Sequence, residues 1–273
     1  MTSDHNLRAR RPDSEFGDEP AAEKGEMGEF FKTAIIAVLL ALTIRTFLYE
    51  PFNIPSGSMM PTLEIGDYLF VSKPAYGYSR YSFPFGIVSY EGREFGDLPL
   101  RGDVIVFKLP TNTSVDYIKR IVGLPGDTVQ VINGRVHING KVTDREPVGM
   151  KRVDKGFGPE IGMMEYIETL PGGVMHRIYE ESDSAGLDNT QAYTVPDNHY
   201  FVMGDNRDNS QDSRVQEQVG FVPLDNIVGR ADFLFFSVDE DASLFKPWRW
   251  PVDIRYSRIF NGINPVRAEE TQE

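Results

Sequence analysis

Nineteen residues from Phe30 to Leu48 carry only two charges, Lys32 and Arg45, one near each end. A run of this length can cross the hydrocarbon of a bilayer as a helix, with the stems of Lys32 and Arg45 carrying their charges toward the interfaces. A helix buried in a soluble body and a cleaved secretory signal share the same composition or position. The second lacks its usual small-residue cleavage site, because Arg45, Thr46, Phe47, Leu48 and Tyr49 follow the apolar core. The expectation is an uncleaved transmembrane anchor over residues 29–50. Lys24 and Lys32, with Arg8, Arg10 and Arg11 further out, precede it, whereas beyond Arg45 the next cation is Lys73. That bias puts the N-terminus inside and the bulk of the chain outside. Residues 1–28 are polar and charged, and read as a disordered tail.

Beyond the anchor the text is that of strands and turns. Gly66-Asp67 opens an apolar stretch to Lys73, Arg101-Gly-Asp103 introduces Val104-Ile-Val-Phe107, and Val115 to Val122 closes on Gly123-Leu-Pro-Gly-Asp127. Thr128 to Val142 alternates, broken by Asn-Gly at Asn133 and Asn139, the strongest short hairpin signal. Asn198–Met203 and Gly220–Val238 resume strand character. The fold class expected is mainly β: a transmembrane helix, then a body of antiparallel strands over 51–142 and 193–260. Residues 143–192 are expected to be an inserted β-rich subdomain, since structureless loops of that length are uncommon. Residues 261–273 form a C-terminal tail. Between Phe245 and Phe260, Trp and Tyr mix with Lys246, Arg249, Arg255 and Arg258; such a stretch suits either a membrane interface or packing on the body.

Composition removes several kinds of chemistry. There is no cysteine, so disulfides, thiolate catalysis and Cys-based zinc sites are excluded. A net charge of −13 argues against a nucleic-acid partner. His5, His137, His176 and His199 show no metal-ligand spacing.

The segment Ile54-Pro-Ser-Gly-Ser-Met-Met-Pro-Thr-Leu63 puts two hydroxyls, Ser56 and Ser58, between Pro55 and Pro61. The prolines restrict the backbone, and Gly57 is expected to supply a conformation other residues avoid. A turn leaving a membrane segment has this composition too. A serine becomes a nucleophile only beside a base. His199 with Asp197, and His137, are weak candidates for a Ser-His-Asp triad. Lys119 stands among Tyr117, Ile118, Ile121 and Val122, and burial there would lower its pKa. A solvated lysine on a half-exposed strand is the plainer alternative.

Pro55–Leu63, Tyr117-Ile-Lys-Arg-Ile-Val-Gly-Leu-Pro-Gly-Asp127 and Gly204-Asp-Asn-Arg-Asp-Asn-Ser-Gln-Asp-Ser-Arg214 resemble, in order, sequence boxes of the bacterial type I signal peptidases (leader peptidases). Gly66–Lys73 and Arg101–Phe107 resemble two more. The resemblance covers about Arg45 to Phe236, apart from 143–192. It implies a membrane serine endopeptidase that removes signal peptides from exported preproteins by a Ser-Lys dyad, with no metal or cofactor. Ser58 would be the nucleophile and Lys119 the general base. The Ser58 N–H and the Ser56 hydroxyl would form the oxyanion hole, and Ser210 would orient the lysine. Arg120 with Asp205, and Asp212 with Arg214, would be structural ion pairs. Ile54, Met59, Leu63, Tyr117 and Ile118 would line pockets for small residues before the scissile bond. The partners implied are signal peptides and the lipid bilayer, with the body on the outer (periplasmic) face of the cytoplasmic membrane and the protein a monomer. Another Ser-Lys peptidase with a single substrate, and a non-catalytic β domain that binds secreted chains, remain alternatives.

Overall fold

The computed structural model describes residues 23–83, 92–93, 95–153, 160–239, 247–263 and 265–267. The expected N-terminal tail therefore lies outside the described residues as far as residue 22, and the C-terminal tail does so from 268. The chain divides into two compact units, 1–42 and 43–273. Helix α1, Glu23–Phe47, is 25 residues long. Its stretch Met27–Phe47, 21 residues, is long and apolar enough to cross a membrane, and at about 1.5 Å per residue it reaches ~31 Å. Phe30, Ile35 and Leu40 on it are exposed, which is unfavourable in water and favourable in lipid.

Among the described residues fifteen strands follow, and every strand pair is antiparallel: β1 Tyr49–Asn53, β2 Asp67–Ser72, β3 Val104–Leu109, β4 Asn112–Gly123, β5 Thr128–Ile132, β6 Arg135–Ile138, β7 Lys141–Val142, β8 Asp144–Val153, β9 Ile161–Leu170, β10 Val174–Glu180, β11 Tyr193–Thr194, β12 His199–Met203, β13 Val222–Pro223, β14 Ile227–Ser237 and β15 Val266–Arg267. Seven form one sheet in the order β1-β2-β14-β3-β4-β12-β13. The unbroken run in β3 follows from its interior place. Val104 and Val106 join one core with Leu69, Val71 and Val228, while Ile105 and Phe107 join another with Ile121 and Val202. Period-two alternation thus buries both faces of the strand.

The two Asn-Gly pairs turn the strands β5-β6-β7, with Asn133, Gly134, Asn139 and Gly140 all at positive φ, as tight hairpin turns require. The looser region holds β8, β9 and β10, which form a sheet with β15. Leu170 and Val174 of that sheet share a core with Val129 and Val131 of β5 and with Phe201 of β12. The C-terminal arginines turn to the body: Arg255 reaches Glu64 at 2.6 Å, and Arg258 reaches the fully buried Asp67 at 2.5 Å.

Candidate active site

The strand β1 ends at Asn53, and the chain then enters the short 3-10 turn Gly57–Met59, which holds Ser58 buried. Ser56, just before it, is extended, and its Oγ lies 3.4 Å from Ser58 Oγ. Asn206 fixes this turn from the polar segment that follows β12. Its Nδ2 donates to the Gly57 carbonyl at 2.9 Å, and its N–H donates to the Ser58 carbonyl at 3.1 Å.

The glycine that the site needs is Gly204 rather than Gly57. Gly57 does not have a positive φ, and a Cβ there would press only on the flexible end of Met60 at 3.2 Å. At Gly204 a Cβ would come within 2.2 Å of Ser210 Oγ and 2.5 Å of the Ser58 carbonyl. The two loops can pack this closely only because that side chain is missing.

Lys119 reaches the same point from β4, where it pairs with Ile105 across β3. It is only 4% exposed. Its Nζ donates to Ser58 Oγ at 2.7 Å and to the Ile118 carbonyl at 2.8 Å, with the Tyr117 ring centroid 5.4 Å away. Among the described residues no carboxylate comes within ion-pair distance of it. Burial pushes the amine down from 10.5 to about 8; Asp212 and Asp205 oppose that shift, and Arg214 adds to it.

Those two aspartates are held by arginines. Arg120 grips Asp205 through Nε at 2.8 Å and Nη2 at 2.7 Å, and Arg214 grips Asp212 through Nε and Nη2, both at 2.9 Å. Bidentate pairing of this kind keeps buried carboxylates ionised and fixed. Asp205 also accepts from Thr62 Oγ1 at 2.5 Å.

Two placements differ from the sequence reading, and a third, that of His199, agrees with its weak standing as a triad base. Ser210 gives its proton to Asp212 Oδ2 at 2.8 Å, and no hydrogen bond joins it to Lys119 among the described residues. The hydroxyl's one proton is shared in the hydrogen bond to that carboxylate, so Ser210 could meet the amine only as an acceptor. Met59 and Leu63 are wholly buried in the core with Leu69 and Val71. The 3-10 turn and the backbone bond from Leu63 N–H to the Met59 carbonyl face them inward. They back the cleft rather than line it. His199 meets the main-chain carbonyl of Asp197 at 2.8 Å, not its carboxylate, so the link that would orient a triad histidine is missing.

Ser58 and Lys119 open into a cleft of about 940 Å³, walled by Ile54, Tyr117 and Ile118, with Ser56 and Ser210 at its rim. The sequence reading also missed Asn206 and Glu168. Asn206 stands inside a motif it singled out, but its contact partners are in another loop. Glu168, on β9, receives the guanidinium of Arg207 and lies 3.3 Å from His176. Burial would raise the Glu168 carboxyl, but Arg207 and His176 outweigh it and hold the group well below the usual range.

The sequence model of one family, described as "Signal peptidase, peptidase S26", matches residues 27–236. The chain belongs to that family. A signal peptidase I of Rickettsia typhi (strain ATCC VR-144 / Wilmington) is 39% identical over 255 residues, covering 86% of this chain and 94% of the relative. One from Rickettsia prowazekii (strain Madrid E) is 39% identical over 262 residues, covering 89% and 95%. A crystal structure of a signal peptidase I from Enterococcus faecalis V583 is 28% identical and spans 49% of this chain and 97% of its own, at a TM-score of 0.30. In this member of the family α1 is a helix long and apolar enough to serve as a membrane anchor.

Proposed function

We propose that this protein removes signal peptides from exported preproteins, with Ser58 as nucleophile and Lys119 as general base. The observation that carries the reading is the 2.7 Å contact between Nζ and Oγ, made where no carboxylate neutralises the lysine. When the amine is neutral its lone pair can accept the Oγ proton along that line. Oγ then attacks the scissile carbonyl. The ammonium formed returns the proton to the leaving amine, an acyl-enzyme remains, and Lys119 activates the water that releases it.

The Ser58 N–H and Ser56 hydroxyl are assigned to the oxyanion, where donors act on charge that appears only in the transition state. Ser210 acts on the base through Asp212, a carboxylate that raises the amine's basicity. Ile54, Tyr117 and Ile118 crowd the cleft, which favours alanine-sized side chains beside the scissile bond. Helix α1 would anchor a single copy in the bilayer with its body on the outer face, beside the emerging precursor.

The test is cleavage of a signal-peptide-bearing precursor in detergent. Wild type should release the mature chain, and Ser58→Ala and Lys119→Arg should not. Arginine keeps the charge but cannot give up its proton. Cleavage surviving in Ser58→Ala would mean another nucleophile.

A further inference from the structure

Three carboxylates meet away from the dyad, where the inserted sheet touches the loop that carries Ser210. Glu180 ends β10, Asp188 comes from the connection to β11, and Asp208 sits in the turn Arg207–Asn209. One oxygen from each lies within 4.8 Å of the others. Proximity of acids alone is common, but the hydrogen bonding here is unusual. Glu180 is 3% exposed, yet neither of its carboxylate oxygens has a hydrogen-bond partner. Oδ1 of the fully buried Asp188 and Oδ1 of Asp208 are also without one.

The remaining oxygens explain how the group is held. Asp208 Oδ2 accepts from the N–H groups of Glu181 at 2.7 Å and Ser182 at 3.0 Å, and Asp188 Oδ2 accepts from Ala185 N–H. Backbone donors thus fix each aspartate through Oδ2 and leave its Oδ1 without a hydrogen-bond partner. Gly134, at φ +70°, closes one side; a Cβ there would stand 3.0 Å from Glu180 Oε1. Two neighbouring cations are already engaged. Arg207 is paired with Glu168, and Arg214 with Asp212. Arg145 bonds Asp183 through Nη2 at 2.9 Å, and its Nη1, which has no hydrogen-bond partner, stands 3.9 Å from Glu180 Oε2, a loose ion pair that gives Glu180 no donor.

A buried carboxylate with no donor is expensive unless something positive meets it. We propose that Glu180, Asp188 and Asp208 bind a hard divalent cation, Ca²⁺ in preference to Mg²⁺, which ties the Ser210 loop to the inserted sheet. Oxygen-only ligands select such ions, and three protein carboxylates gathered at one place suit Ca²⁺, whereas Mg²⁺ keeps several of its waters and takes one or two carboxylates. Burial pushes the Glu180 carboxyl up to about 8 and the Asp188 carboxyl upward, as expected for acids lacking their counter-charge. Asp208 also borders the substrate cleft, which gives an ion a way in. The ion's role is structural; it takes no part in the serine–lysine chemistry.

The test uses the full chain in detergent, stripped with a chelator and freed of it, with CaCl₂ or MgCl₂ added. Equilibrium dialysis should find one Ca²⁺ per chain with Kd about 10⁻⁴–10⁻³ M. Thermal unfolding should rise by about 3 °C or more at tenfold Kd. Glu180→Gln should abolish both effects while leaving the ion-free protein at least as stable above about pH 8, where the wild-type carboxyl carries a repelling charge. Asp188→Asn provides the same comparison should Glu180→Gln fold poorly. Absence of saturable binding by wild type, Mg²⁺ bound in preference to Ca²⁺, or Ca²⁺ bound unchanged by the variants would each overturn the proposal.

Discussion

Two buried lysines of the β body, Lys73 and Lys119, show how the surroundings of a buried amine decide its role. Lys73, just beyond β2, is 2% exposed, and its Nζ meets Glu50 at 2.9 Å and the Ser82 carbonyl at 2.7 Å. Lys119, in β4, is 4% exposed, and among the described residues its hydrogen bonds go to a hydroxyl and a carbonyl, Ser58 Oγ and Ile118 O. The first has a carboxylate to share its charge, and its pairing is structural. At the second the nearest acids, Asp205 and Asp212, are each committed to an arginine. Desolvation therefore prevails, and the amine falls to about 8. Depth is the same at both places; what differs is the counter-charge.

The widest separation between the two lysines should appear in catalysis. Ser58→Ala or Lys119→Arg should lower kcat/KM on a precursor by about 10³-fold or more, with the peptide still bound, whereas Lys73→Arg should leave the chemistry intact. Ser56→Ala, which removes one of the two proposed oxyanion donors, should cost about 10²-fold in kcat with little change in KM.

Stability should then move in opposite directions at the two sites. Glu50→Gln strands the Lys73 charge and should destabilise by about 2–3 kcal/mol in denaturant unfolding. Lys119→Met should instead stabilise at neutral pH, by up to about 3 kcal/mol. The folded pKa, about 8, lies below the unfolded 10.5, so the unfolded chain holds the extra proton between those values. The penalty on the wild type is thus complete below about pH 8 and vanishes as pH rises through about 10.5. The gain from Lys119→Met should fade over that window.

The difference between these lysines could only partly be read from sequence. The apolar run of α1 and the Asn-Gly turns at Asn133 and Asn139 are local signals, and the structure forms the helix and both hairpins there. Ser58 and Lys119 stand 61 residues apart, and only the motifs around them suggested that they meet. Local pattern could not say that Asp212 would take the Ser210 proton, or that Met59 and Leu63 would turn inward. Both outcomes depend on how the 3-10 turn and the 204–214 loop dock. Nor could it find Glu168 and Glu180. Their partners, Arg207 and the two aspartates, belong to other segments, and the β8–β10 region carries no recognisable motif.

The central claim is that Lys119 works as a neutral amine. The most direct measurement is the pH dependence of kcat/KM for precursor cleavage by the full chain in detergent. The account predicts a rise of about tenfold per pH unit on the acid side, levelling near about pH 8. A profile flat from about pH 6 to about pH 10 would contradict it, because the base would then not be a group that loses its proton in that range.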